Sequence, residues 1–149
     1  MFLSSAYSGS SRVLRLTGAG GAPKVPTVEE VWTHRLVRIH HSNAVRIGDI
    51  VYAASGDLGP CLLAAVDIKT GKVYWRDRSF SKSSLIAIGS QLLILDEEGM
   101  LYLASPSEKG VDVQGKTSVL SSNAWTPPTL VGKRVYLRDR KNVVALSLE

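Results

Sequence analysis

Residues Ala65 to Trp75 read AVDIKTGKVYW, and this stretch carries the strongest local instruction in the chain. Ala65 and Val66 close an apolar run, CLLAAV, that begins at Cys61 and reads as an extended segment. Asp67 follows with a carboxylate suited to accept hydrogen bonds from turn backbone, and Thr70-Gly71 completes the turn, because glycine takes a positive φ without steric penalty. The chain re-emerges as KVYW, a strand ended by an aromatic. An indole there can bury ~150–250 Å² against whatever lies beside the sheet. The stretch therefore predicts strand, tight turn and strand, with Trp75 as a docking device.

Three segments around it superpose on a glycine: AVRIGDIVYAAS (44–55), LIAIGSQLLILD (85–96) and PTLVGKRVYLRD (128–139). Gly48, Gly89 and Gly132 are 41 and 43 residues apart. Each segment reads as a strand, a glycine turn and a second strand, the pattern of a hairpin. A third apolar strand follows each: LLAAVD (62–67), MLYLAS (100–105) and NVVALS (142–147). MFLSSAY and RVLRL at the start match the second and third strands of an earlier copy without its first. Four short antiparallel strands every 40–45 residues is the signal of β-propeller blades. Helical repeats of that length need apolar residues at 3.6 spacing over a dozen positions; only VEEVW (28–32) is friendly to helix, and it is short. The expected fold is all-β, a partial β-propeller of about three and a half four-stranded antiparallel blades. One segment, 1–149, would hold a partial blade 1–35, blades at 36–76 and 77–116, and an incomplete blade 117–149.

With these motifs the chain resembles the PQQ-like repeat, or quinoprotein-dehydrogenase-like, β-propeller family, whose blades carry an eleven-residue tryptophan-docking motif. Ala65, Asp67, Thr70, Gly71 and Trp75 match it in full, and Trp32 ends a degenerate copy. A further copy, ASPSEKGVDVQ, puts Ala104 at position one and Gln114 at position eleven, and Ala145 with Ser147 begins another. The resemblance implies a propeller of seven or eight blades in all and a secreted or periplasmic setting. No signal peptide is visible in this chain: MFLSSAYSGSSRVLRL lacks a basic region followed by an apolar core.

GVDVQGKT (110–117) fits the phosphate-loop pattern G-x-x-x-x-G-K-[ST] letter for letter. That loop needs a strand before it and a helix opening at GKT, so that backbone N–H groups meet the phosphates. SVLSSNAWTPP follows Thr117, and its two prolines exclude the helix. In the repeat register Gly110 is a turn glycine and GKT leads into the next blade. The chain is not expected to be an ATPase.

Seven residues before the successive turn glycines stand His41, Lys82 and Trp125. Innermost strands start near a propeller's axis, so these positions should ring one end of the channel. With His40 and Asn43 nearby they offer donors, a cation and an aromatic plate, a lining suited to a small ligand. On a strand His40 and His41 would point to opposite faces, and three histidines without a ligand carboxylate make a poor metal set. No metal is expected. The family's dehydrogenases hold their quinone with a vicinal cysteine pair, calcium-binding acids and a stacking Trp. This chain has one cysteine, so no cofactor is predicted, and Asp96 and Asp139 read as hairpin-closing residues.

With 44% hydrophobic and 21% charged residues the composition is that of an ordinary folded domain. The net charge of +5 is scattered, with only RDRK (138–141) as a cluster, so nucleic-acid binding is not expected. No window approaches the ~18 apolar residues of a membrane helix. An open arc leaves apolar blade faces and strand edges bare at both ends. The expected partner is therefore the missing N-terminal half of a longer propeller or a second copy of the chain. The reading is a non-catalytic interaction or ligand-binding scaffold, a fragment of a longer propeller with Met1 internal, similar to outer-membrane assembly lipoproteins. The alternative is the propeller of a quinone (PQQ)-dependent dehydrogenase.

Overall fold

The computed structural model describes residues 1–18, 25–121 and 123–148. Among them the chain is all β, with four antiparallel sheets in sequence order and no helix. The first sheet is β1 (Phe2–Ser4), β2 (Ser11–Thr17) and β3 (Thr27–His34). Four strands make the second, β4 (Ala44–Ile47), β5 (Ile50–Ser55), β6 (Leu62–Asp67) and β7 (Val73–Asp77). The third is β8 (Ser83–Ile88), β9 (Gln91–Asp96), β10 (Met100–Ser107) and β11 (Gly110–Ser118). β12 (Thr129–Val131), β13 (Arg134–Arg138) and β14 (Val143–Ser147) form the fourth. VEEVW lies inside β3, its β-branched residues and indole fitting the pleat.

The inner hairpins turn on Gly48, Gly89 and Gly132, whose φ values of 58°, 60° and 58° repeat one turn geometry. Strand faces then sort by alternation. In β9, Leu92 and Ile94 face the second sheet with Tyr52, Leu63, Ala65, Phe80 and Leu85, while Leu93 and Leu95 face the fourth with Val135 and Leu137. A blade with neighbours on both sides needs apolar residues on both faces, which is why LLIL is continuous. Trp32 packs with Val37, Ala64 and Val66 between the first and second sheets.

The end blades have no such second neighbour. In β13, Val135 and Leu137 are buried, whereas Tyr136 is 38% exposed and Arg134 and Arg138 are exposed. Val131 and Val143 lie bare at 62% and 76%. On the first blade Leu3, Leu16 and Val28 are exposed.

Two details of register differ from the sequence reading. Val13 pairs with Trp32, and Ala65 with Trp75, each beside a bulge, and the residue in that place on the third blade is Gly115, opposite Leu103. Gln114 is the bulged residue instead. A bulge adds one residue to one strand without changing spacing elsewhere. GKT, expected to lead into the next blade, lies within β11, paired with β10 through Lys116 opposite Tyr102.

Candidate functional site

The Asp67 turn forms as a self-contained unit. Its Oδ1 accepts from the N–H groups of Lys69 and Thr70, both at 2.8 Å, and its Oδ2 from the Tyr74 hydroxyl at 3.0 Å. These bonds hold the Asp67 carboxyl below its usual range, the turn backbone contributing most. Thr70 Oγ1 accepts from Lys72 N–H at 3.2 Å, and Gly71 has φ 76°. The turn receives the preceding blade: Trp32 Nε1 donates to Ile68 O at 2.9 Å, and His34 Nε2, stacked beside that indole, donates to Gly71 O at 3.0 Å. One blade on, Trp75 Nε1 donates to Ser107 O at 2.7 Å.

At one end of the arc the rim residues gather. The His41 and Trp125 rings lie 4.8 Å apart, and Lys82 is close enough to help hold His41 low. Trp125 Nε1 donates to Glu97 Oε2 at 3.0 Å, and the Arg140 guanidinium stands 5.0 Å from its ring. His40 and His41 do not point to opposite faces. They sit in a bend after the bridge from Ile39 to Gly56, outside any strand, so strand alternation does not apply; their Nδ1 atoms are 3.0 Å apart. His40 Nε2 meets the Tyr7 hydroxyl at 2.6 Å. Asn43 is turned elsewhere, with both amide groups on Leu85 backbone at 2.7 and 2.8 Å, a clamp between the second and third blades. A cleft of about 350 Å³ opens beside the rim, lined in part by Cys61, Arg78, Phe80, Lys82, Glu97 and Tyr102.

Burial, then the nearby His40 and Lys82 charges, lowers the His41 pKa, with Glu97 opposing. Its Nε2 is buried without a hydrogen-bond partner among the described residues. Burial likewise pushes the Cys61 thiol up, which makes it a poor nucleophile. Asp96 Oδ1 accepts from the Glu98 and Met100 N–H groups, and its Oδ2 from the Tyr102 hydroxyl. Asp139 accepts from Ser121, Lys141 and Asn142, which lowers its pKa to about 2. Both carboxylates close turns. No three His, Cys, Asp or Glu side chains come together as a metal set among the described residues.

Against solved structures, the chain is similar to BamB from Moraxella catarrhalis, with a TM-score of 0.61 at 16% identity over 78% of this chain and 33% of that one. The fold is that of a β-propeller segment. It spans about one third of the length of that structure. No family model and no curated protein matches the sequence.

Three rim residues of the propeller segment escaped the sequence reading. Glu97 and Arg140 each stand eight residues after a turn glycine, as Gly56 does, so the repeat logic that found His41, Lys82 and Trp125 would have found them. Tyr7 had no such signal, since it lies in the loop between β1 and β2.

Proposed function

We propose that the chain is a non-catalytic propeller segment of the PQQ-like kind, an interaction scaffold whose end blades pack against further blades. Those blades belong to a longer propeller or to a second copy. The observation that carries this is the pair of end faces, Leu3, Leu16 and Val28 on the first blade and Val131, Tyr136 and Val143 on the fourth, exposed at positions that inner blades bury. Exposed apolar patches on a folded protein mark association surfaces. The small share of BamB that the chain spans agrees with an incomplete ring. Within this reading the Trp32 and Trp75 contacts set blade order, and the His40, His41, Lys82 and Trp125 rim takes a small ligand or a partner's loop.

A quinone does not fit the residues present. The Trp125 ring already carries His41 and Arg140, the Asp96 and Asp139 oxygens are engaged in turns, and there is one cysteine. Light scattering tests the scaffold reading. Mass above the monomer that rises with concentration, and falls back when Leu16→Glu and Val143→Glu are introduced, supports it. A monomer at every concentration, indifferent to those changes, contradicts it.

A further inference from the structure

The second and third blades have four strands and the fourth has three, so β14 has β13 on one side and no strand on the other among the described residues. Its composition is that of an inner strand. The outermost strands of the other blades all carry charge: Glu29 and Glu30 on β3, Arg76 and Asp77 on β7, Asp112 and Lys116 on β11. Charged side chains, prolines and bulges are how sheet edges resist further pairing. VVALS in β14 has no charge and no proline, and its ladder with β13 runs without a bulge.

Hydrogen bonds at the two ends of that ladder fix which groups are free. Asp139 N–H donates to Asn142 O at 3.1 Å, and Leu148 N–H donates to Lys133 O at 2.8 Å. Antiparallel alternation between these points turns Val144 and Leu146 toward β13 and leaves the N–H and C=O groups of Val143, Ala145 and Ser147 directed outward. Such an edge is a template for an added strand. The surroundings are basic, with Lys133, Arg134, Arg138, Arg140 and Lys141 near the edge. Asp139, the acid among them, is 4% exposed and turned into its own hairpin.

We propose that β14 accepts as its fourth strand an extended acidic segment of a partner polypeptide. The segment runs antiparallel, with apolar residues toward the third blade, as Val73 and Val111 pack toward the blade before theirs. Its carboxylates lie among the five basic residues. The first blade holds a precedent: β3, TVEEVWTH, is an acidic fourth strand whose Glu29 pairs with Arg15 at 2.9 Å and Glu30 with Arg12 at 3.3 Å. The proposal rests on the scaffold reading and adds an edge to its faces.

The probe is a synthetic peptide of sequence TVEEVWTH, added to the full chain while amide hydrogen exchange is followed. The peptide is expected to slow the Val143, Ala145 and Ser147 amides selectively. Ala145→Pro removes an outward N–H and leaves the bonds to β13 in place, so it should weaken binding about tenfold, as should Arg138→Glu, which leaves the β14 backbone intact. Protection of those three amides before peptide is added, or equal binding by both variants, overturns the proposal. Should the end-face glutamates suppress association while the peptide leaves β14 unprotected, this inference falls and the scaffold reading stands.

Discussion

Trp32 lies against Gly71 so closely that a Cβ added to the glycine would sit 2.8 Å from the indole, across the junction between the first two blades. Gly71 is needed twice, once for its φ of 76° and once for this approach. Gly89 shares the positive φ, at 60°, but has nothing within 4 Å of an added Cβ. Gly89→Ala should therefore cost only the backbone strain, about 1 kcal/mol. Gly71→Ala should cost about 2–3 kcal/mol, because the indole must also move. Denaturant midpoints of the two variants separate the contributions.

Trp75 is half-buried, with its ring 6.0 Å from that of Tyr52 and its Nε1 on Ser107 O. Removing a fully buried aromatic costs ~3–5 kcal/mol; at this exposure Trp75→Ala is expected to cost about 2–3 kcal/mol. Trp75→Phe keeps most of the packing and loses the hydrogen bond, for about 1 kcal/mol. Equal losses in the two variants, read by chemical unfolding, would show that the bond to Ser107 is what holds the blades.

The rim should be sensitive to acid. His41 has its pKa lowered from 6.5 in the fold, so the unfolded chain takes up that proton first. Proton uptake then favours unfolding, and the His41 contribution is intact above 6.5 and lost as the pH falls through that value toward the folded pKa. Melting temperature measured from pH 7 to about 5 should decline. In His41→Gln that part of the decline should vanish.

Lys116 lies in β11 and not at the head of a helix. Lys116→Ala should change stability by no more than about 0.5 kcal/mol, as for other surface positions. Calorimetry should detect no ATP binding to either form.

What was legible in the sequence was what steric rules force. Gly48, Gly89 and Gly132 mark inner hairpins because a positive φ excludes most residues, and the Asp67 to Gly71 turn is written in its own side chains. The ring of His41, Lys82 and Trp125 followed from counting back from those glycines. Counting failed where the chain leaves regular geometry. The bulge at Gln114 moved the position equivalent to Trp75 onto Gly115, and the bend at His40 and His41 brought together rings that a strand would separate. Asn43 was read as lining the rim, but two backbone groups of Leu85 hold it, a contact 42 residues away that no local pattern announces.

Residue-by-residue hydrogen exchange of the chain at low concentration tests most directly whether this is an open arc with two bare ends. The expected result is graded protection: strongest in β5, β6, β9 and β10, whose blades lie inside the arc, and weaker in β1, β2, β13 and β14, with the Val143, Ala145 and Ser147 amides exchanging fastest within β14. Equal protection in β13 and β14 and in β9 and β10 would mean that the end faces are already covered, and the account of a segment awaiting further blades would be wrong.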